Sequence, residues 1–287
     1  MPTPLAVLAS RIRLEEKLIL SALEKRGAVV EVIDSRRQPF RLDGRELPYA
    51  GALSREISHT RNVYGTRLLE HAGLTVVNSY DIISLCGDKL LTALALQDAR
   101  LPVPRAMVSL SPEHAVDGLA EFGFPMVIKP VIGSWGRLAS RPKDREAAET
   151  LMEHRAALAS PQYQVVYAQE YIDKPGRDIK AYVMGGEVVG VIYKVSDEWR
   201  TNTARTGRAE RCDPSDELVK LLVAVADVIG EGVFGIDVLE DRDGRFYVNE
   251  VNHTPEFHGA VEVLDTDLVG AYADYVLRRL PSALSAG

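Results

Sequence analysis

The stretch GIDVLEDRDGRFYVNEVN, residues 235 to 252, constrains the fold of this chain more than any other, because it predicts how two strands pair. Asp243-Gly244 separates two apolar runs and is typical of a two-residue hairpin turn of type I′, which needs positive φ at both positions. Side chains alternate along a strand, so a loop of these two residues predicts three facing pairs on one face. The pairs are Asp237 with Glu250, Gly235 with Asn252, and Leu239 with Val248.

Asp237 and Glu250 would then hold two carboxylates face to face. Directly opposed Cβ atoms lie roughly 5 Å apart, and like charges there are destabilising. Either a positive group lies between them or one carboxyl is protonated. Oxygen ligands of this kind, together with the amide of Asn252, suit a hard divalent cation. The alternative is a solvent-facing acidic hairpin.

The remaining pattern predicts an α/β lobe followed by two mixed α+β lobes. "PLAVLAS", "RLEEKLILSALEKRG" and "AVVEVID" are typical of a strand, a helix and a strand, and this βαβ start indicates a parallel sheet. Further strands and amphipathic helices alternate up to the C-terminal hairpin. We predict an N-terminal α/β domain over residues 1–85, a central lobe over 86–172, a C-terminal lobe over 173–280 and a tail over 281–287.

Composition narrows the function classes. Of the 287 residues, 46% are hydrophobic and 26% are charged, which is typical of a globular protein with a sizeable core. We expect no signal peptide and no membrane span, because no apolar run is long enough. Cys86 and Cys212 lie far apart and indicate neither a disulfide framework nor a zinc site, so a cytoplasmic location is the expectation. The net charge of −7 argues against nucleic acid as the main partner.

Two lysines are candidates for binding an anion. Lys129 follows an apolar run in "VIKPVIGSWGR", where a bare ammonium is costly to bury. The loop after it contains Gly133, Ser134 and Gly136, which let backbone N–H groups approach an anion. Lys89 in "CGDKL" begins a helix, where free N–H groups and the helix dipole favour an anion. Each could instead be an ordinary solvated lysine.

Other segments have polar groups that suit a nucleotide. "QEYI" ends a strand with Glu170, and such a segment can offer backbone groups to an adenine edge and a carboxylate to a ribose. Asp178 and Lys180 fall on one face of the next strand, where they could also form a mere surface ion pair. The segment from 198 to 211 is rich in arginine, whose guanidinium suits phosphates and carboxylates; its arginines are Arg200, Arg205, Arg208 and Arg211.

Taken in their order along the chain, these segments provide the groups that are needed to bind Mg-ATP without a Walker motif. The motifs "CGDK", "KPVIGSWGR", "QEYIDKPGRDI", "TNTAR" and "VNEVNHTPEF" resemble the ATP-grasp superfamily over almost the whole chain. Within it, the chain is most similar to the LysX-like ligases of the RimK-like branch. The resemblance implies an ATP-grasp fold, in which two mixed lobes clamp ATP.

The resemblance also implies a role for individual residues. It assigns the ATP phosphates to Lys89 and Lys129, a lid loop to Gly133, Ser134, Trp135 and Gly136, the adenine and ribose to Glu170, Tyr171, Ile172 and Asp178, two Mg²⁺ ions to Asp237, Glu250 and Asn252, the reacting phosphoryl group to Lys180, Asn202 and Arg205, and the substrates to Arg55, Ser58, Arg61, Arg200, Thr203 and Thr254.

The implied reaction joins a carboxylate to an amine at the expense of ATP. Its partner is a small acidic amino-group carrier protein of the LysW type, whose C-terminal Glu receives 2-aminoadipate or glutamate. The arginines at 200, 205, 208 and 211 could help dock that carrier. The family implies a homodimer or homotetramer. Two alternatives remain: a RimK-type glutamate ligase for a ribosomal protein or a free small carboxylate, and an ATP-binding module without turnover.

Overall fold

The computed structural model describes residues 3–133, 135–199, 201 and 207–280, and these residues form three sheets flanked by ten helices. The strands of the described residues are β1 (Leu5–Leu8), β2 (Val30–Ile33), β3 (Gly51–Ser54), β4 (Val76–Val77), β5 (Ala106–Ser109), β6 (Met126–Lys129), β7 (Val166–Glu170), β8 (Arg177–Met184), β9 (Glu187–Val195), β10 (Arg208–Arg211), β11 (Val233–Glu240) and β12 (Phe246–Asn252). The helices are α1 (Leu14–Lys25), α2 (His59–His71), α3 (Tyr80–Cys86), α4 (Lys89–Asp98), α5 (Val116–Phe122), α6 (Arg145–Ala156), α7 (Pro161–Gln164), α8 (Asp216–Ile229), α9 (His258–Val261) and α10 (Leu268–Arg279). Among the described residues, no helix is long and apolar enough to cross a membrane.

The first sheet is parallel and has the order β2-β1-β3-β4, which confirms the prediction from the βαβ opening. The carboxyl ends of its strands meet at one edge. There the buried carboxylate of Glu56 accepts hydrogen bonds from Ser10 Oγ at 2.8 Å, Ser35 Oγ at 2.5 Å and the Ser58 backbone N–H at 2.8 Å. One side chain thus joins the loops that follow β1, β2 and β3.

The second sheet is antiparallel, with the order β5-β7-β6. Helices α5 and α6 pack together beside it and close a small core. Two predicted site residues, Lys129 and Glu170, end the strands β6 and β7 of this sheet. The buried apolar side chains of this core include Leu119, Met126, Ile128, Met152 and Val166.

The third sheet is antiparallel, with the order β10-β9-β8-β11-β12, and it carries the predicted hairpin at one edge. One face packs against α8, α3 and α4. The other face shares a core with the first lobe, because α10 packs against both α1 and this sheet. Buried side chains of that shared core include Leu23 of α1, Tyr182 of β8 and Val276 of α10.

The hairpin of β11 and β12 differs from the prediction in its loop and in one pair. Only Gly244 of the expected turn has positive φ, at 81°, and Asp241 and Arg245 close a three-residue loop by a backbone hydrogen bond of 3.0 Å. Such loops combine a type I turn with a glycine in the left-handed region. The loop shifts the pairing by one residue, and a β-bulge after Asp237 shifts it back. Asp237 therefore pairs with Glu250 and Gly235 with Asn252 as predicted, whereas Leu239 faces Tyr247 and not Val248.

Arg55 lies at the boundary between the first lobe and the third sheet and is only 1% exposed. Its Nε and Nη2 lie 2.9 and 2.8 Å from Oε1 of the buried Glu16, and both Nη atoms donate to the backbone oxygen of Pro255 at 3.3 Å. These contacts occupy the guanidinium and bury it away from the cavities. The expectation that Arg55 contacts a substrate therefore does not fit the structure, since this side chain joins two lobes instead.

We expect Arg55→Met to lower the free energy of unfolding by about 3 kcal/mol, because it removes one partner of a buried ion pair. This value is the lower end of the range that is usual for breaking a buried ion pair, because Glu16 keeps its contacts with Arg13. Urea unfolding followed by circular dichroism measures the change. As a matched control, Arg26→Met removes an exposed ion pair with Asp274 and should cost less than about 1 kcal/mol. Equal losses in the two variants would contradict the structural role of Arg55.

Candidate active site

The opposed carboxylates of Asp237 and Glu250 lie where the second and third sheets face each other. Asp237 is 4% exposed, and Asn252 donates from Nδ2 to Asp237 Oδ2 at 2.6 Å and to Glu250 Oε1 at 3.3 Å. The amide oxygen of Asn252 is thereby left for another partner. All three predicted metal ligands are in one place, held by a single hairpin.

Lysine side chains provide positive charge on either side of this pair and not between the two carboxylates, where the Asn252 amide bridges them. Lys180 of β8 faces Asp237 across the sheet, with Nζ 3.2 Å from Oδ2, and Lys194 of β9 donates to Oδ1. Burial alone would raise the pKa of Asp237, but these two ammonium groups hold that pKa well below its usual range. Burial would also lower the pKa of Lys194, but Asp237 and Asp178 raise it to about 12.

Glu250 is paired from the other side of the cavity. Lys89 Nζ lies 3.4 Å from Glu250 Oε2 and donates to the backbone oxygen of Gly133 at 2.6 Å. Burial would raise the pKa of Glu250, and the charge of Lys89 is the main effect that lowers it below the usual value. Both carboxylates of the hairpin are therefore ionised at neutral pH.

The donor set fits Mg²⁺. Among the described residues, no cluster contains three or more His, Cys, Asp or Glu side chains suited to a metal ion. The hairpin instead offers two ionised carboxylates, Asp237 and Glu250, and one amide oxygen, that of Asn252. Mg²⁺ is typically bound by one or two carboxylates while substrate phosphates and water complete its octahedron. The chemistry of these residues therefore suits a magnesium ion that arrives with a polyphosphate.

Lys129 lines the same cavity, at the end of β6. Its Nζ donates to Asn249 Oδ1 at 2.8 Å, and burial lowers the pKa of Lys129 to about 8 even though Glu250 opposes the shift. Asn249 was not predicted. It reaches the cavity because the β-bulge places it beside Glu250, and bulges commonly redirect a side chain next to an active site.

Another part of this cavity is formed by the end of β7, the connection after it and the start of β8. Tyr171 and Ile172 line it, as does Glu170, whose carboxylate accepts hydrogen bonds from the backbone N–H and Nε of Arg105 at 2.7 and 2.9 Å. The expected contact of this carboxylate with a ribose thus competes with Arg105. Asp178 also lines the cavity, where it accepts from Lys174 Nζ at 2.5 Å and not from Lys180.

A second, larger cavity meets the first at the opposed carboxylates. It runs along the carboxyl edge of the parallel sheet, past Ser58 and Arg61, and its opposite wall includes Thr254. Trp135 and Gly133 line both cavities. Residues shared by the two cavities include Lys89, Lys194, Asp237 and Glu250.

Most of the predicted site residues line one or both of these cavities, and Arg55 is the exception described above. Gly136 lines the first cavity, and Lys180 and Asn252 line the second. Lys194 and Asn249 are among the polar lining residues that sequence reasoning missed. Five predicted residues lie outside the described part of the chain: Ser134, Arg200, Asn202, Thr203 and Arg205.

Comparison with known proteins relates this arrangement to a family. A model described as RimK-like ATP-grasp domain matches residues 86–276, and a LysX preATP-grasp domain matches residues 5–85. The chain is 35% identical to the glutamate–LysW ligase ArgX of Sulfolobus acidocaldarius, over 94% of this chain and 97% of that protein. It is 32% identical to the alpha-aminoadipate–LysW ligase LysX of Saccharolobus solfataricus, over 88% and 92% of the two chains.

A solved structure shares the fold as well. The RimK domain ATP-grasp protein of Sphaerobacter thermophilus superposes with a TM-score of 0.79 at 25% identity, and the match covers 95% of this chain and 98% of that one. The similarity thus spans the parallel sheet and both antiparallel sheets, so all three lobes belong to one shared architecture.

We expect ATP binding to take up protons near pH 8. The neutral amine of Lys129 predominates above a pKa of about 8 in the free protein. A bound polyphosphate favours the ammonium and raises that pKa, so affinity should fall as the pH rises through 8. Calorimetry in buffers of different ionisation enthalpy measures the uptake. Lys129→Arg is the control, because a guanidinium stays charged at this pH, and an uptake that persists in this variant would contradict the assignment to Lys129.

Proposed function

Because the chain belongs to the RimK-like ATP-grasp family of ADP-forming carboxylate–amine ligases, we propose that it acts on a LysW-type amino-group carrier protein. It joins the α-amino group of glutamate or 2-aminoadipate to the γ-carboxyl of the carrier's C-terminal Glu. The reaction consumes ATP and releases ADP and phosphate.

The meeting of two cavities at Asp237 and Glu250 is the observation that carries this proposal. The first cavity has the lysines and the strand end that suit a nucleotide. The second is larger and reaches the first lobe, which a substrate delivered on a protein tail requires. A phosphoryl group bound at the junction would be accessible from both cavities.

The first lobe supports a carrier of the LysW type in particular. Its residues 5–85 match the LysX preATP-grasp model, and Arg11, Arg36 and Arg61 line its wall of the second cavity. Positive side chains there favour an acidic partner through complementary charge. Arg208 and Arg211, from the segment first considered for docking, line neither cavity. Ion pairing does not distinguish the two groups, because Arg36 lies 2.8 Å from Asp34 and Arg61 lies 3.4 Å from Glu56, while Arg208 and Arg211 also lie within 3.0 Å of an acidic side chain.

The proposed reaction has two chemical steps. The carrier carboxylate attacks the γ-phosphorus of ATP, which forms an acyl phosphate and releases ADP. The amine of the amino acid then attacks the acyl carbon, the C–O bond to phosphate breaks, and the amine loses a proton as the amide forms. No protein nucleophile is required, so the chain contributes alignment and charge.

Individual residues supply that alignment and charge. We assign the phosphates of ATP to Lys89 and Lys129 and the transferred phosphoryl group to Lys180. The loop that contains Trp135 would exclude water from the acyl phosphate, which hydrolysis would otherwise waste. The predicted roles of Asn202 and Arg205 at the reacting phosphoryl group stay part of the proposal.

We assign two Mg²⁺ ions to Asp237, Glu250 and Asn252, whose oxygens fit the ion as described above. When bound, the ions neutralise negative charge on the phosphates and on the transferred group. The charges of Lys180 and Lys194 keep the pKa of Asp237 low, so this ligand is ionised. A homodimer or homotetramer in the cytoplasm remains a prediction.

We expect Asp237→Asn to reduce Mg-dependent ATP turnover at least about a hundredfold, since metal stabilisation of developing charge is worth several kcal/mol. The amide keeps the shape of the side chain, so the circular dichroism spectrum should not change. Glu250→Gln provides an independent second variant. Unchanged turnover in both variants would contradict the metal assignment.

The substrate proposal is tested by incubating the enzyme and Mg-ATP with a LysW-type carrier and either glutamate or 2-aminoadipate. We expect the intact mass of the carrier to increase by one amino-acid residue and ADP to appear in equal amount. ADP release with a ribosomal-protein tail or a free carboxylate, but not with the carrier, would favour the RimK-type alternative. ATP binding without ADP release from any of them would favour a non-catalytic module.

A further inference from the structure

Trp135 connects the loop after β6 to the third lobe. Its indole Nε1 donates to both carboxylate oxygens of Glu256, each at 3.2 Å. The guanidinium of Arg137 lies over the indole ring, 4.7 Å from its centre. Trp135 has a φ of 59°, so the loop adopts a left-handed conformation there that side chains rarely favour and that its surroundings must stabilise. The contact with Glu256 is a suitable stabilising interaction.

Glu256 itself is held from the first lobe. Arg13 Nη1 lies 2.6 Å from Glu256 Oε1, and Arg13 in turn donates to both carboxylate oxygens of Glu16 from Nε at 3.0 Å and Nη2 at 2.9 Å. Glu16 is the buried partner of Arg55, described above. A continuous chain of charges thus runs from Arg55 through Glu16 and Arg13 to Glu256.

The backbone around Glu256 is fixed as well. Arg55 donates to the backbone oxygen of Pro255, and the Tyr182 hydroxyl donates to that of Glu256 at 3.1 Å. The Glu256 carboxylate is therefore placed by the first and third lobes, while Trp135 belongs to the loop of the central lobe. The hydrogen bond between the Glu256 carboxylate and the Trp135 indole is therefore where these three parts of the chain meet, beside the cavities.

We propose that Glu256 is a positioning residue that latches Trp135, so that the loop stays closed over the acyl phosphate until the amine attacks. This deepens the ligase function proposed above and rests on it. Glu256 reacts with nothing; it sets the loop position through a charge-assisted hydrogen bond. A single bond of this kind is weak enough to break when substrates enter and products leave.

The latch predicts a specific defect when it is removed: ADP release is no longer matched by amide formation. Without it, water reaches the acyl phosphate more often, so ADP is still released while less amide forms. We expect Glu256→Ala and Trp135→Phe each to lower the ratio of amide to ADP about tenfold, as loss of a hydrogen bond to a charged group implies. Trp135→Phe removes the indole N–H and keeps an aromatic ring. Glu256→Gln keeps an acceptor oxygen and should restore part of the ratio, whereas Asp274→Asn, at an exposed ion pair, is the control that should leave the ratio unchanged.

A second readout does not depend on ligase activity. The chain has two tryptophans, so in a Trp199→Phe background the fluorescence comes from Trp135 alone. We expect Glu256→Ala to increase quenching of that fluorescence by acrylamide about twofold in the ligand-free protein, because the loop opens locally. Arg13→Ala should act in the same direction through Glu256, and Asp274→Asn should have no effect.

The two readouts separate failure of the latch from failure of the proposed function. Increased quenching together with a lower ratio supports the latch. Unchanged quenching in Glu256→Ala, together with an unchanged ratio in both Glu256→Ala and Trp135→Phe, overturns it. If the wild-type protein forms no amide on the carrier, the function proposal fails and quenching alone decides whether the latch exists. Should Glu256→Ala not fold, Trp135→Phe still tests the latch through the ratio.

Discussion

The facing carboxylates of Asp237 and Glu250 are the constraint on which the rest of the site depends. Two ionised groups on opposed strand positions repel each other, and the protein compensates them with ammonium groups from different parts of the chain. Lys180 and Lys194 neutralise one carboxylate from within the same sheet, and Lys89 approaches the other from the helix α4. Both carboxylates therefore stay ionised, and a site for magnesium and phosphate needs ionised carboxylates.

The polar side chains around the cavities come from all three lobes, and each lobe supplies a different kind of group. The third sheet supplies the carboxylates, the second sheet supplies Lys129, and the first lobe contributes mainly through Glu56 and the buried Arg55–Glu16 pair. These first-lobe groups face inward and hold loops or neighbouring lobes in place. Arg55, which the sequence offered as a substrate contact, thus organises the fold around the cavities.

Much of the fold and of the site could be read from the sequence, and the errors have one physical origin. Counting residues outward from the predicted turn paired Asp237 with Glu250 correctly only because the longer loop and the β-bulge shift the register in opposite directions. Such irregularities depend on tertiary packing and leave no short-range signal. The bulge in β9 likewise moves Lys194 onto the face of Lys180, where counting residues from Gly185-Gly186 would not place it. Arg55 was misjudged for a related reason, since sequence does not reveal which arginine finds a buried acid.

The core shared by α1, α10 and the third sheet has a mechanical consequence. Helices from the two ends of the chain are packed into one apolar interior, so the first and third lobes should rotate as a single rigid body. The sheet β5-β7-β6 has an interior of its own and is joined to that body mainly by short connections around Pro102 and Lys174. Opening of the site then requires only that the small sheet β5-β7-β6 moves relative to the first and third lobes. A nucleotide in the first cavity and the carrier of the proposed reaction in the second would both be admitted by that one movement.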